Sequence, residues 1–191
     1  MQDKTFNIII SGVGGQGVIT LLSLIDEAAF IDGYDIKSSE LHGLSQRGGS
    51  VLAHIKSGKK VYSPLIEHGQ ADLIIGLELL EGLRALSFGD KNTKVLINKY
   101  SLPILNGLPT EDIVKKLEAI GGKNLHLVSA SKICKENLQN EVVSTIYLLG
   151  YAVCKKLIPI KKESVLKAIE NTVPEKYRQL NIKAFQLAYD N

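Results

Sequence analysis

The chain has 191 residues, 45% of them hydrophobic and 23% charged, and carries a formal net charge of +3. That is enough to bury a full core in one domain, residues 1–191, while a mild charge distributed along the chain, with no basic run beyond short doublets such as Lys59-Lys60 and Lys161-Lys162, speaks against a nucleic-acid-binding stripe. No apolar run is long enough to span a bilayer, and the start lacks a signal-peptide pattern, so a cytoplasmic location is expected.

Phe6 to Ile10 reads as an apolar strand and Val18 to Ile31 as a helix. Between them stand Gly12-Val13-Gly14-Gly15-Gln16-Gly17, with Gly12, Gly14 and Gly17 at G-x-G-x-x-G spacing. Glycines reach positive φ and let a backbone approach a ligand closely, and the following helix start presents N–H groups and a partial positive charge. The segment serves either contact with a small anion or nucleotide, or a structural turn between packed elements.

Tyr34 to Ser38 is the next strand, followed by Ser39 to Ser50. This second glycine-rich segment carries Glu40, His42, Ser45, Gln46, Arg47 and Gly48. In an open parallel sheet the loops leaving the C-terminal strand ends converge on one edge, so both segments are expected to face one crevice. A planar guanidinium at Arg47 can hold a phosphate or carboxylate by two bonds, or brace the loop through Glu40. Glu40 could instead meet a ribose hydroxyl, and His42 is an acid–base group or a hydrogen-bonding post. An ordinary polar connection is the plain alternative for the whole segment.

Ser50 to Lys56 alternates as a strand, with Lys60 to Leu65 as its hairpin partner. Ala71 to Gly76 is a buried strand leading into a helix through about Leu86, and Lys94 to Asn98 repeats the strand pattern. Thr110 caps a helix whose face is Ile113, Val114, Leu117 and Ile120, ended by Gly121-Gly122. Leu125 to Ser129 is a strand and Ser131 starts a helical turn. From Asn140 the pattern is helical only. Val142, Val143, Ile146, Leu149, Val153 and Leu157 line one face until Pro159; helices from Lys161 to Asn171 and from Pro174 to about Tyr189 follow. The fold class is therefore α/β, a Rossmann-like, mainly parallel sheet flanked by helices, with a possible antiparallel hairpin and a helical C-terminal third.

Cys134 and Cys154 are isolated, so the chain cannot hold an iron–sulfur cluster alone. Cys154 falls in an apolar pattern as a core residue; Cys134, between lysines, is expected to be partly exposed. His54, His68 and His126 show no metal-ligand spacing, and no metal site is expected. There is no nucleophile elbow, Walker lysine or paired-carboxylate arrangement, and the catalytic residues are unknown.

Together, Gly12 to Val18 and Ser39 to Val51 resemble the small subunit of the 2-oxoacid:ferredoxin oxidoreductases, most closely the indolepyruvate type, whose second loop has the form H-G-x-S-Q-R-G-G. Asn181-Ile182-Lys183-Ala184-Phe185 resembles the closing helix of those subunits, and Leu148-Leu149-Gly150 sits in a matching helix. The resemblance implies a reaction in which thiamine diphosphate attacks a 2-oxoacid, carbon dioxide leaves, electrons pass to ferredoxin and the acyl group goes to coenzyme A. It implies that no cofactor is bound by this chain alone. Thiamine diphosphate, Mg2+ and [4Fe-4S] clusters would reside on a large partner subunit, while Gly12, Gly14, Gly15, Gln16, Gly17, Glu40, His42, Ser45, Gln46, Arg47 and Gly48 contact ligand or partner. The alternative is a free-standing Rossmann-like protein that binds NAD or another nucleotide.

Overall fold

A computed structural model describes residues 5–43, 48–102 and 108–190. One six-stranded sheet has the order β2-β3-β1-β4-β5-β6. Its strands are β1 (Phe6–Val13), β2 (Asp35–His42), β3 (Ser50–Gly58), β4 (Ala71–Gly76), β5 (Gly89–Asn98) and β6 (Leu125–Val128). β1, β4, β5 and β6 pair in parallel, whereas β3 lies antiparallel to both β1 and β2. The helices are α1 (Val18–Ile31), α2 (Leu79–Ala85), α3 (Thr110–Gly121), α4 (Ala130–Leu138), α5 (Ser144–Cys154), α6 (Lys162–Thr172) and α7 (Glu175–Leu187).

The central strands are apolar at successive positions because both sheet faces are covered. Ile8, Ile10, Leu73, Ile75 and Leu96 point into the larger cluster, with residues from α1 and α4 to α7. On the other face Ile9 and Ile74 meet Ile66 and Ala85, while Val95 and Ile97 meet Ile113 and Leu117 of α3. Alternate residues of a strand face opposite sides, so one apolar run serves both layers.

Several boundaries differ from the sequence reading. β1 continues past Ile10 through Gly12 to Val13, and β2 continues past Ser38 to His42. The hairpin is β2–β3, with His42 opposite Val51; Lys60 to Leu65 forms no strand. Instead the Val61 N–H donates to Asp35 Oδ2 at 2.7 Å, which draws that segment across the start of β2. Thr110 does not cap α3 but is its first residue, and its hydroxyl donates to Ser101 Oγ.

α5 ends at Cys154, before Pro159, because Lys156 adopts a left-handed φ of 54°. Leu157 N–H then bonds back to Ala152 O and Lys156 N–H to Val153 O, the pairing that closes a Schellman end. Two expected core positions turn outward: Ile120 is 65% exposed and Val142 81%. Cys134 is fully buried, whereas Cys154 is only half-buried, the reverse of the sequence reading.

Candidate functional site

The first glycine segment is a strand end, a tight turn and a helix start in succession. Gly12 belongs to β1, where an added Cβ would stand 3.0 Å from Val18 Cγ2 and 3.1 Å from Leu77 Cβ; its role is close packing. Gly15 and Gly17 have φ of 100° and 87°, the region that disfavours side chains, and Gly17 is the residue from which α1 begins. Gln16 closes the turn with itself: its Oε1 accepts the Val13 N–H at 2.8 Å and its N–H donates to Val13 O. Thr145 Oγ1 of α5 donates to Gln16 O at 2.9 Å, fastening the turn from the C-terminal third.

The second segment is tied to the first through main chain. Gly14 N–H donates to Gly49 O at 2.9 Å, and Gly48 N–H to Gly14 O at 3.5 Å. Ser50, opposite Val13 at the start of β3, continues the same ladder. β1 and β2 run in the same direction, so their C-terminal ends lie at the same sheet edge, although β3 pairs antiparallel between them.

The side chains are distributed differently from the sequence reading. Glu40 and His42 are strand residues on β2, two positions apart on one face, with Oε1 and Nε2 3.1 Å apart. β3 separates them from β1, and neither lines the cleft beside the first segment. Ser45, Gln46 and Arg47 lie outside the described residues. A dinucleotide fold places its ribose-binding acid on the parallel neighbour of the first strand. Here β3 intervenes and Glu40 faces His42, so that arrangement is not formed.

The cleft itself has a volume of about 310 Å³ and is lined by Gly14, Gly15, Gln16 and Gly48 from the two segments. Its floor includes Asn98, a residue that sequence reasoning left at a strand end. Asn98 is buried; its Nδ2 donates to Leu77 O at 3.2 Å and Ser131 Oγ at 2.8 Å, and its Oδ1 accepts the Ser131 N–H. It thereby ties together the chain leaving β4, β5 and β6. The available signal was an amide ending an apolar strand, where no core residue needs one. A larger hollow of about 720 Å³ opens on the far side of Gln16, between the first turns of α1 and Tyr177 of α7, and Val142 borders both spaces.

Glu78 and Glu81 were also missed. Both are buried at the start of α2. Glu78 caps that helix, its carboxylate accepting the N–H groups of Leu80, at 3.0 Å, and of Glu81. Burial raises its pKa against the lowering by those bonds, and the nearby Glu81 charge adds to the rise. Glu81 accepts Ser50 Oγ–H on one oxygen and the Arg84 guanidinium on the other. Two acids three residues apart opening a helix were the visible signal.

None of this amounts to a catalytic set. No group of three His, Cys, Asp or Glu able to hold a metal occurs among the described residues. Burial lifts the Cys134 thiol to about 11, far from a nucleophilic thiolate. His126 meets Tyr151 Oη at 3.2 Å, and His54 accepts the Ile66 N–H; neither lines the cleft. Among the described residues, the cleft is lined by glycines, small polar side chains and a few apolar ones, with Glu141 at its border.

A family model described as pyruvate ferredoxin/flavodoxin oxidoreductase matches residues 7–191. The chain belongs to that family. The indolepyruvate oxidoreductase subunit IorB of Thermococcus kodakarensis is 36% identical, over 96% of this chain and 94% of its own length. The pyruvate synthase subunit PorC of Methanothermobacter marburgensis is 27% identical, over 94% of this chain and 93% of its own. Among solved structures, the gamma subunit of a keto/oxoacid ferredoxin oxidoreductase from Geobacter sulfurreducens superposes with a TM-score of 0.72 at 25% identity, covering 97% of this chain and 96% of that one.

Within the family, this chain has the place of the small subunit of a 2-oxoacid:ferredoxin oxidoreductase, one component of a multi-subunit enzyme. No helix among the described residues is long and apolar enough to cross a membrane.

Proposed function

We propose that this chain is the small subunit of an indolepyruvate or other arylpyruvate:ferredoxin oxidoreductase, acting as one domain, residues 1–191, within a cytoplasmic complex. In this reading its two glycine segments shape the approach of coenzyme A or the 2-oxoacid to an active site on the large partner. The observation that carries it is the mutual backbone bonding of Gly14 with Gly48 and Gly49 beside a cleft lined by Gly14, Gly15, Gln16 and Gly48. The arylpyruvate preference is supported by the higher identity to the indolepyruvate subunit, 36% against 27% for the pyruvate synthase subunit.

Thiamine diphosphate with Mg2+ and [4Fe-4S] clusters, all on the partner, would supply the decarboxylation and the electron path to ferredoxin. This chain's residues would bind and orient. Gly15 and Gly17 keep the turn free of side chains, and Gln16 and Thr145 hold it still. Arg47 supplies a planar cation for a phosphate or carboxylate.

The test is reconstitution with the large subunit, followed by arylpyruvate oxidation at varied coenzyme A and 2-oxoacid. Gly17→Asn adds a side chain where φ is 87°, and asparagine is the residue that strains such a backbone least, so thermal stability is measured beside the kinetics. Arg47→Lys keeps charge but loses the planar fork. Arg47→Lys is expected to raise a substrate KM roughly ten- to a hundredfold, the effect of one lost charge-assisted contact of about 1.5–3 kcal/mol, and Gly17→Asn to raise it by crowding the approach. Wild-type kinetics for both variants and for Arg47→Ala would remove the segments from the substrate path. Tight NAD binding by the isolated chain would favour the nucleotide-binding alternative.

A further inference from the structure

We infer that Glu81 is a positioning residue: through Ser50 it sets the spacing of the two glycine segments, and with it the affinity of the substrate that approaches over them. This rests on the proposed role of those segments. The Glu81 side chain is 7% exposed, yet one carboxylate oxygen is given to the exposed Ser50, whose Oγ–H lies 2.5 Å away. The other oxygen meets Arg84, which is 61% exposed and open to screening.

Folding alone gives little reason for this arrangement. Glu78, in the same turn, already caps α2 with its own buried carboxylate, so Glu81 brings a second like charge into a buried corner. A buried ion pair can commonly be replaced by apolar side chains of similar size without loss of stability. An apolar residue at position 81 would serve the packing of α2 against the sheet equally well.

What an apolar residue would not do is hold Ser50. That serine is the first residue of β3 and stands opposite Val13, while its carbonyl accepts the Gly43 N–H at 3.3 Å. The two residues before it, Gly48 and Gly49, make the reciprocal bonds with Gly14. Glycines have no side chains to lock them, and Gly48 has a φ of 77°, so their placement depends on the residue that anchors them. A chain of hydrogen bonds thus runs from α2 through Glu81 and Ser50 to the meeting point of both segments.

The experiment uses the reconstituted complex with Glu81→Gln, Ser50→Ala, the double variant and Ser50→Thr. Glu81→Gln and Ser50→Ala are each expected to raise KM for coenzyme A or the 2-oxoacid about five- to tenfold, with kcat within about twofold. The double variant should be no worse than Ser50→Ala alone, because the neutral amide only weakens, by loss of its charge, the one contact that the alanine removes. Ser50→Thr, which keeps the hydroxyl, should restore the wild-type KM. Amide exchange at Gly14 should quicken in the first two variants while Ile9 stays protected. Unchanged KM, additive effects, or lower thermal stability with normal KM would each overturn the inference. Should Glu81→Gln fail to assemble, Ser50→Ala on its exposed side chain decides alone. Gly17→Asn runs in parallel: if it shifts KM and these variants do not, only the role of Glu81 falls; if none does, the role of the segments falls with it.

Discussion

The two cysteines show how local pattern and burial part company at single residues. Cys134 follows Ala130 by one helical turn, so it shares the inward face of α4 although Lys132 and Lys135 surround it in sequence. It is fully buried, its thiol pushed up to about 11, while Cys154 remains half-buried near the end of α5. Brief alkylation of the native protein near neutral pH should therefore label Cys154 and spare Cys134; mass spectrometry showing Cys134 modified first would contradict this burial. The histidines give a pH prediction. Burial, aided by Lys56, lowers the His54 pKa, and burial with Lys94 and Lys155 lowers that of His126. A group held below its unfolded value binds its proton more readily in the unfolded chain. Its contribution is thus intact above the ordinary imidazole pKa of about 6.5 and is lost as pH falls from there towards the folded value. Asp26 and Glu78, raised by burial, act oppositely at lower pH, in the carboxylate range. Thermal unfolding between pH 7.5 and 5.5 should show falling stability, with a shallower slope in His54→Gln. An identical slope in the variant would remove His54 from the account.

At the scale of elements, close approach is set by glycine. α5 and α7 touch where Gly150 faces the Phe185 carbonyl: an added Cβ would meet that backbone oxygen directly and lie 3.0 Å from Ala188 Cβ. Gly150→Ala would gain up to about 1 kcal/mol in helix propensity but must separate two packed helices. A net loss on the order of 2 kcal/mol is expected, read from the urea midpoint. Stability equal to or above wild type would mean that α7 moves aside freely. The strands carry a related lesson. Glu40 and His42 looked like loop residues because polar side chains alternate there with little apolar content, yet an edge strand needs only one covered face. β2 extends through them because β3 supplies hydrogen-bonding partners as far as Val51.

For the whole molecule, the chain is a component, and its chemistry should depend on assembly. With two free cysteines and no metal cluster among the described residues, the purified chain should show no visible iron–sulfur absorption. It should also fail to oxidise arylpyruvates when thiamine diphosphate and coenzyme A are supplied. Adding the large subunit should restore both; turnover by the rigorously purified chain alone would overturn the assignment of roles. The helical C-terminal third matters here as more than packing. Thr145 reaches the first glycine segment, and Val142 stands exposed beside it, so α5 and the turn before it border the cleft as well as packing into the core.

The amino-acid sequence by itself determined what depends on near neighbours. α1 from Val18 to Ile31 and β4 from Ala71 to Gly76 have the expected bounds, since apolar periodicity and flanking glycines act within a few residues. The paired glycine segments carried the family resemblance in the same way. Only the tertiary structure decided which strands pair, that β3 enters antiparallel between β2 and β1, and which side chains meet. Ser50 and Glu81 are 31 positions apart and Gln16 and Thr145 are 129 apart. Periodicity reports the face of one element but not its register or rotation against another, and those are set by packing the whole core at once.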